Sequence, residues 1–394
     1  MPFQRRYLES HIAEDLDQRM VFVGGPRQVG KTTLARLVGE DFRTTTYLNW
    51  DNRAHRRALL DGHWPPETDL LIFDEIHKYP RWKGLVKGLW DTRPSDQRIM
   101  VTGSSRLDIF RRGGDSLLGR YRYYRLHPFS LRELNAPGAA PSPFPTERPR
   151  LIFDQVGDHI DTLLTFGGFP EPCIAARQRT LKRWQKERFE RVFREDIRET
   201  ETVRALAQVE LLGSLIPGRV GSPLSISNLV EDVEASPKTV KSWIELLARN
   251  YYLFRVPPYH RRLERALKKE AKYYLWDWSE VAEEGPRFEN MVAAHLLKFC
   301  HCYEDSHGID VALYYLRDLE KREVDFLVVW EGEPWFLVEC KVGAPKGLGH
   351  LRYFADKLGI EQRYCVTTSD QHDYLDRNTG VRVVPAGKFL MALV

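Results

Sequence analysis

Met20-Val-Phe-Val-Gly-Gly-Pro-Arg-Gln-Val-Gly-Lys-Thr-Thr-Leu-Ala35 constrains the fold of this chain more than any other segment. An apolar run, a glycine-rich stretch and an amphipathic beginning (Leu34, Leu37, Val38) follow one another, which predicts strand, loop and helix. Gly25 to Thr32 spell G-x-x-x-x-G-K-[ST], a loop that turns its backbone N–H groups inward around a triphosphate. Gly25, Pro26, Arg27, Gln28, Val29, Gly30, Lys31, Thr32 and Thr33 are the expected nucleotide contacts. Lys31 is expected to reach the outer phosphates and the Thr32 hydroxyl to ligate Mg²⁺, with the positive end of the helix added to the same anion site. Strand before and helix after make binding of a nucleoside triphosphate the reading of this segment.

A chain of 394 residues exceeds one ordinary core and implies two or three domains. Its 42% hydrophobic and 29% charged residues suit a soluble globular protein. No apolar run approaches the roughly 20 residues of a membrane helix, and the basic N-terminus lacks the apolar stretch of a secretory signal. Cys173, Cys300, Cys302, Cys340 and Cys365 are odd in number, and the C-x-C pair lacks a second half for zinc, so reduced thiols in the cytoplasm are expected. A net charge of +4 does not by itself call for nucleic acid.

Strand and helix patterns alternate through the first 135 residues, as in a parallel α/β sheet with helices on both faces. Candidate strands are Met20–Gly24, Thr45–Asn49, Leu70–Asp74, Arg98–Gly103 and Arg122–Leu126. A Pro-rich stretch and helical patterns follow over 136–220, a helix-turn-helix over 221–275, and mixed strands and helices over 276–394. Leu70-Leu-Ile-Phe-Asp-Glu75 ends an apolar strand in two acids: Asp74 to hold Mg²⁺, Glu75 to orient or deprotonate the attacking water. Ile99-Met-Val-Thr-Gly-Ser-Ser105 ends in small hydroxyls; Ser104 or Ser105 could reach the γ-phosphate, and a helix N-cap accounts for either equally well. Arg120, immediately before the last of these strands, suits an arginine finger offered to a neighbouring subunit.

Gly24 to Leu34, Phe73-Asp-Glu-Ile-His77, Val101-Thr-Gly-Ser-Ser105, Leu117-Leu-Gly-Arg120 and His127-Pro-Phe-Ser-Leu-Arg-Glu-Leu134 together resemble AAA+ ATPases. The likeness is to prokaryotic members that join this module to a C-terminal domain of unknown function. It implies ATP and Mg²⁺ as cofactors, a helical lid, Arg120 as the finger, and a ring, usually a hexamer. No motif selects a second sensor arginine.

Leu224 to Val233, the turn at Ala235-Ser-Pro-Lys238 and Thr239 to Ala248 have helix-turn-helix spacing. Lys238, Thr239 and Lys241 would enter a DNA groove, and a following strand with the basic run His260 to Lys272, including Arg261 and Arg262, would form a wing. Further on, Glu323-Val-Asp-Phe and Val338-Glu-Cys-Lys341 resemble the PD-(D/E)xK nucleases in a restriction-endonuclease-like α/β domain. That likeness makes Glu289, Asp325 and Glu339 ligands for Mg²⁺ or Mn²⁺ and Lys341 the catalytic lysine. Pairing Trp330 directly with Trp335 would put Asp325 opposite Cys340 and on the wrong face, so a metal site requires an odd loop or a bulge. The combined expectation is an ATP-driven protein that binds and remodels DNA, branched or broken, with metal-dependent cleavage as an optional activity. The rival is an ATPase switch acting on a protein, with an inert nuclease-like scaffold.

Overall fold

The computed structural model describes residues 5–104, 107, 117–136, 148–197, 205–260 and 270–394. Ser105, Arg261 and Arg262 lie outside them. The described residues fall into two compact units: one runs to His127 and includes Ala136, and the other holds Pro128–Asn135 and the residues from 148 onward.

The first unit is built on five parallel strands, β1 (Met20–Gly24), β2 (Thr45–Asn49), β3 (Leu70–Asp74), β4 (Arg98–Thr102) and β5 (Tyr121–Arg125), in the order β2-β3-β4-β1-β5. Every residue of β1 and β3 is buried, which explains why both read as unbroken apolar runs rather than as alternations. Phe22, Leu71, Phe73, Ile99 and Val101 pack with Trp82 and Val86 of the helix Trp82–Thr92. Leu34, Leu37 and Val38 are the buried stripe of the helix Lys31–Glu40. All five strands end on one edge, and β1 lies between β4 and β5, so the loop after Gly24 opens where strand order reverses, the usual ligand crevice of such sheets.

The second unit begins with helices that include Ile160–Phe166, Gln178–Arg191, Leu206–Leu215, Ile226–Val233 and Pro237–Arg249. An antiparallel pair, β6 (Leu253–Val256) and β7 (Lys272–Leu275), follows, and then a helix of 24 residues, Glu284–His307. Six strands complete it: β8 (Val311–Arg317), β9 (Glu323–Trp330), β10 (Glu333–Lys341), β11 (Gln362–Thr367), β12 (Tyr374–Leu375) and β13 (Arg382–Pro385), ordered β12-β13-β11-β10-β9-β8. The register of β9 and β10 is set by a two-residue turn, Glu331 and Gly332 (φ 51° and 82°), and by a bulge at Trp335. Trp330 pairs with Glu333, not with Trp335, and beyond the bulge Val338 faces Phe326. Carried one step further this register leads to Glu339 and Asp325, and Asp325 N–H donates to the Glu339 carboxylate at 3.4 Å. The extra residue is taken up by packing: the Trp335 ring meets Trp330 at 5.2 Å and Phe299 at 5.9 Å.

Pro128–Asn135 continues from β5 in sequence, yet it is bound into the second unit. Ser130 N–H donates to Glu133 at 3.1 Å, a capping box, and Glu133 pairs with buried Lys298 on the long helix. Leu131 N–H donates to His295 Nε2 at 3.1 Å, and His295 Nδ1 lies 2.8 Å from the Met291 carbonyl oxygen. Burial holds the His295 pKa down to about 4, so the ring is neutral and its Nε2 accepts.

Candidate ATP site and a second acidic cluster

Gly25 has φ 142°, and a Cβ there would stand 2.5 Å from the Leu126 carbonyl oxygen, so only glycine lets the loop pass the end of β5. Lys31, at the start of the following helix, is buried, and its ammonium donates to the carbonyls of Gly25 (2.9 Å) and Pro26 (2.7 Å). The Thr32 hydroxyl donates to Asp74 Oδ2 at 2.9 Å. Asp74 ends β3 and is ringed by further donors: the Tyr47 hydroxyl (2.5 Å) and Asn49 amide (3.3 Å) of β2, and the Thr102 hydroxyl (2.5 Å) of β4. The sequence reading missed all three. Their signal was the alignment of neighbouring strand ends, since Asn49, Asp74 and Thr102 are direct partners in the parallel ladder.

Glu75 takes a left-handed conformation (φ 58°), and its N–H donates to the Thr102 carbonyl at 3.0 Å. Burial raises its pKa above the ordinary carboxylate value, against the pull of Lys31 and Lys78. His77 is buried beside it, Nε2 lying 3.6 Å from Glu75 Oε2 and 3.4 Å from the Ser104 hydroxyl. His77 therefore joins the Asp74-Glu75 strand end to the Ser104 strand end. Pro26, Arg27, Gln28, Val29 and Thr33 lie in or beside the loop as the motif requires. Arg120 pairs with Asp91 at 3.0 Å at the opposite end of the sheet. Its backbone neighbours Met20, four residues from Gly24, or about 13 Å at roughly 3.3 Å per residue. Arg120 thus does not reach the loop of its own chain. A cradle shaped by glycine, a lysine, and a hydroxyl meeting a carboxylate could hold a triphosphate with a hard divalent cation.

In the second unit, Glu289 of the long helix, Asp325 of β9 and Glu339 of β10 do converge. Asp325 N–H donates to Glu339 Oε2 at 3.4 Å, Cys340 N–H to Asp325 Oδ2 at 2.8 Å, and Lys341 Nζ to Glu339 Oε1 at 2.7 Å. Lys272, expected in the basic run of a wing facing DNA, stands in this cluster instead. Its side chain is 0% exposed, and Nζ lies 2.8 Å from Glu323, 3.1 Å from Glu289 and 3.5 Å from Asp325. The alternation of β7 explains the placement, because Lys272 and Tyr274 share a face and the Tyr274 hydroxyl also donates to Glu289 at 2.6 Å. Burial lowers the lysine's pKa, but Glu289, Asp325 and Glu323 outweigh it and raise the value. As arranged, these side chains do not fit a divalent cation, and among the described residues no group of three or more His, Cys, Asp or Glu is set to hold one.

The helix Pro237–Arg249 is capped by Ser236, whose hydroxyl accepts from Thr239 N–H at 3.2 Å. Val240, Trp243, Ile244 and Leu247 are its buried side, Lys238, Lys241 and Ser242 are exposed, and Thr239 is half-buried.

Residues 17–135 match the family model described as an AAA domain, and residues 157–281 and 284–389 match two domains of unknown function (DUF8612 and DUF4143). The chain is 20% identical to an uncharacterised protein of Mycobacterium tuberculosis over 99% of its own length and 85% of that protein's. It is 24% identical to one of Haemophilus influenzae, over 82% and 83%. A Walker-type ATPase of Pyrococcus abyssi aligns with 71% of this chain and 97% of its own at 15% identity, with a TM-score of 0.42, too low to bear on domain arrangement. The chain therefore carries a P-loop ATPase domain of the AAA type followed by domains of unknown function. No helix among the described residues is long and apolar enough to cross a membrane.

Proposed function

We propose that this chain is a cytoplasmic, Mg²⁺-dependent AAA+ ATPase that works as a ring, a hexamer in the usual case, and engages and remodels DNA. The convergence of Lys31, Thr32, Asp74 and Glu75 at one edge of the sheet carries the reading. Lys31 leaves the Gly25 and Pro26 carbonyls for the outer phosphates, and Thr32 and Asp74 hold the cation. Magnesium, when bound, offsets the charge of the phosphate oxygens. Glu75 takes the proton of the attacking water, Ser104 contacts the γ-phosphate, and His77 positions both. Arg120, remote from its own loop, serves the site of the adjacent subunit, which is the support for a ring. Mixing Arg120→Ala with Lys31→Ala chains checks this: hydrolysis recovers in mixed assemblies if the finger acts between subunits, and stays lost if it does not.

DNA engagement rests on the exposed Lys238, Lys241 and Ser242 at the start of a capped second helix, read as a winged helix with β6 and β7. ATP turnover across single-stranded, duplex and branched DNA, with Lys31→Ala as control, tests it. Stimulation by one DNA form that weakens as salt rises supports the reading, with the salt slope reduced by about one for each lysine changed to alanine. Turnover indifferent to every DNA form would favour a switch acting on a protein, with the C-terminal domain as an inert scaffold.

A further inference from the structure

We propose that Lys272 is the built-in cation of the C-terminal acidic cluster, its ammonium occupying the place at which Glu289, Asp325 and Glu339 would otherwise take a divalent ion. The domain then binds no metal there and cleaves no phosphodiester by metal-activated water. The hydrogen-bond count supports this: an ammonium has three N–H donors, and three carboxylates, Glu323, Glu289 and Asp325, stand within 2.8–3.5 Å of Nζ. Charge supports it as well. Among the described residues four carboxylates (Glu289, Glu323, Asp325, Glu339) face three cations, Lys272 with Lys341, which holds Glu339 at 2.7 Å, and Arg317, which holds Glu323 at 3.2 Å. A further divalent ion at this spot would lie against a buried ammonium with little water to screen it.

Lack of access does not explain the exclusion. A pocket of about 270 Å³, lined by Gly221, Ser222, Pro286, Glu289 and Cys340 among others, reaches the Glu289 carboxylate. Nor can the lysine swing out as a surface side chain does. It lies in β7, with Val256 of β6 paired on one side and Pro223 bridged on the other, and its side chain is fully enclosed. Lys272 thereby ties the strand pair that follows the helix-turn-helix to the long helix and to β9. This inference stands apart from the ATPase reading and survives its failure.

The test is Mn²⁺ binding to the full chain without nucleotide, followed by the electron paramagnetic signal of the free ion. Asp74→Asn is present throughout to silence the first site. With Lys272 intact, no uptake sensitive to Asp325→Asn is expected. Lys272→Met should gain one ion per chain and lose it again on adding Asp325→Asn. An ion bound with Lys272 in place and lost on Asp325→Asn overturns the proposal, as does a folded Lys272→Met chain that takes up none. Should Lys272→Met not fold, Lys272→Gln, which keeps two donors without the charge, replaces it, and the intact chain with and without Asp325→Asn still decides.

Discussion

The two acidic constellations of this chain are written alike and built differently. Each sets carboxylates at the ends of buried strands and a lysine near them. At the first, Lys31 is held by backbone carbonyls, and Asp74 is contacted by hydroxyls and an amide, neutral groups that a cation and a nucleotide can rearrange. At the second, Lys272 bonds three of the carboxylates themselves, so most of the negative charge is already matched. An ion site needs uncompensated oxygens as well as oxygens in the right place. In the first cluster no cation bonds Asp74, whereas in the second the Lys272 ammonium already stands among three carboxylates.

The largest expected effects are kinetic. Lys31→Ala and Glu75→Gln should each lower ATP turnover by roughly 10²–10⁴-fold. Nucleotide binding should survive in Glu75→Gln and weaken in Lys31→Ala, as read by phosphate release and equilibrium titration. If Glu75→Gln hydrolysed normally, the first cluster would be a binding site only.

Stability should reverse the ranking. Lys272→Met leaves buried carboxylates without their counter-ion and should cost about 3–5 kcal/mol in urea unfolding, whereas Lys31→Ala should cost about 1 kcal/mol. Equal costs would break the contrast between the clusters.

The helix that carries Glu289 also carries His295, and this residue gives a pH signature. Its folded pKa lies at about 4 against 6.5 for the free side chain. Stability is therefore fully present above pH 6.5 and is lost as pH falls toward 4, because the unfolded chain takes up a proton that the folded ring resists. The loss should approach about 3 kcal/mol. Denaturation of wild type and His295→Gln across that window measures it, and identical slopes would remove His295 as the cause.

A smaller effect than that of His295 belongs to Gly221, at φ 84°, where a Cβ would lie 3.1 Å from Glu289 Oε2. Gly221→Ala should cost about 1–2 kcal/mol and leave Lys31-dependent turnover intact. A neutral result would mean that the backbone at residue 221 relaxes out of its left-handed conformation and the Glu289 carboxylate yields with it, so that the second cluster is looser than its hydrogen bonds imply.

Much of the first site was legible because its chemistry is local. Lys31 and Thr32 follow directly from loop spacing, and Asp74 and Glu75 from an apolar run that ends in acids. Thr102, Asn49 and Tyr47 were hidden only until strand order was known, since hydroxyls and amides at strand ends carry no motif of their own. His77 was hidden more deeply, because one histidine two residues past the acids looks the same in sequence whether it packs or bridges.

Sequence by itself pointed to the parallel sheet, from strand and helix patterns alternating over 135 residues, and to the phosphate loop and the helix that carries Lys238 and Lys241, from spacing within about a dozen. A resemblance, not spacing alone, singled out Glu289, Asp325, Glu339 and Lys341. Only the tertiary structure decided that, past a bulge at Trp335, Asp325 and Glu339 come together, and that Pro128–Asn135 binds to the long helix beyond it in sequence. It alone placed the Lys272 ammonium among those carboxylates, 53 residues before Asp325. The reason is physical: a strand's alternation fixes which face a lysine takes, but what waits on that face is set by packing between segments far apart in the chain.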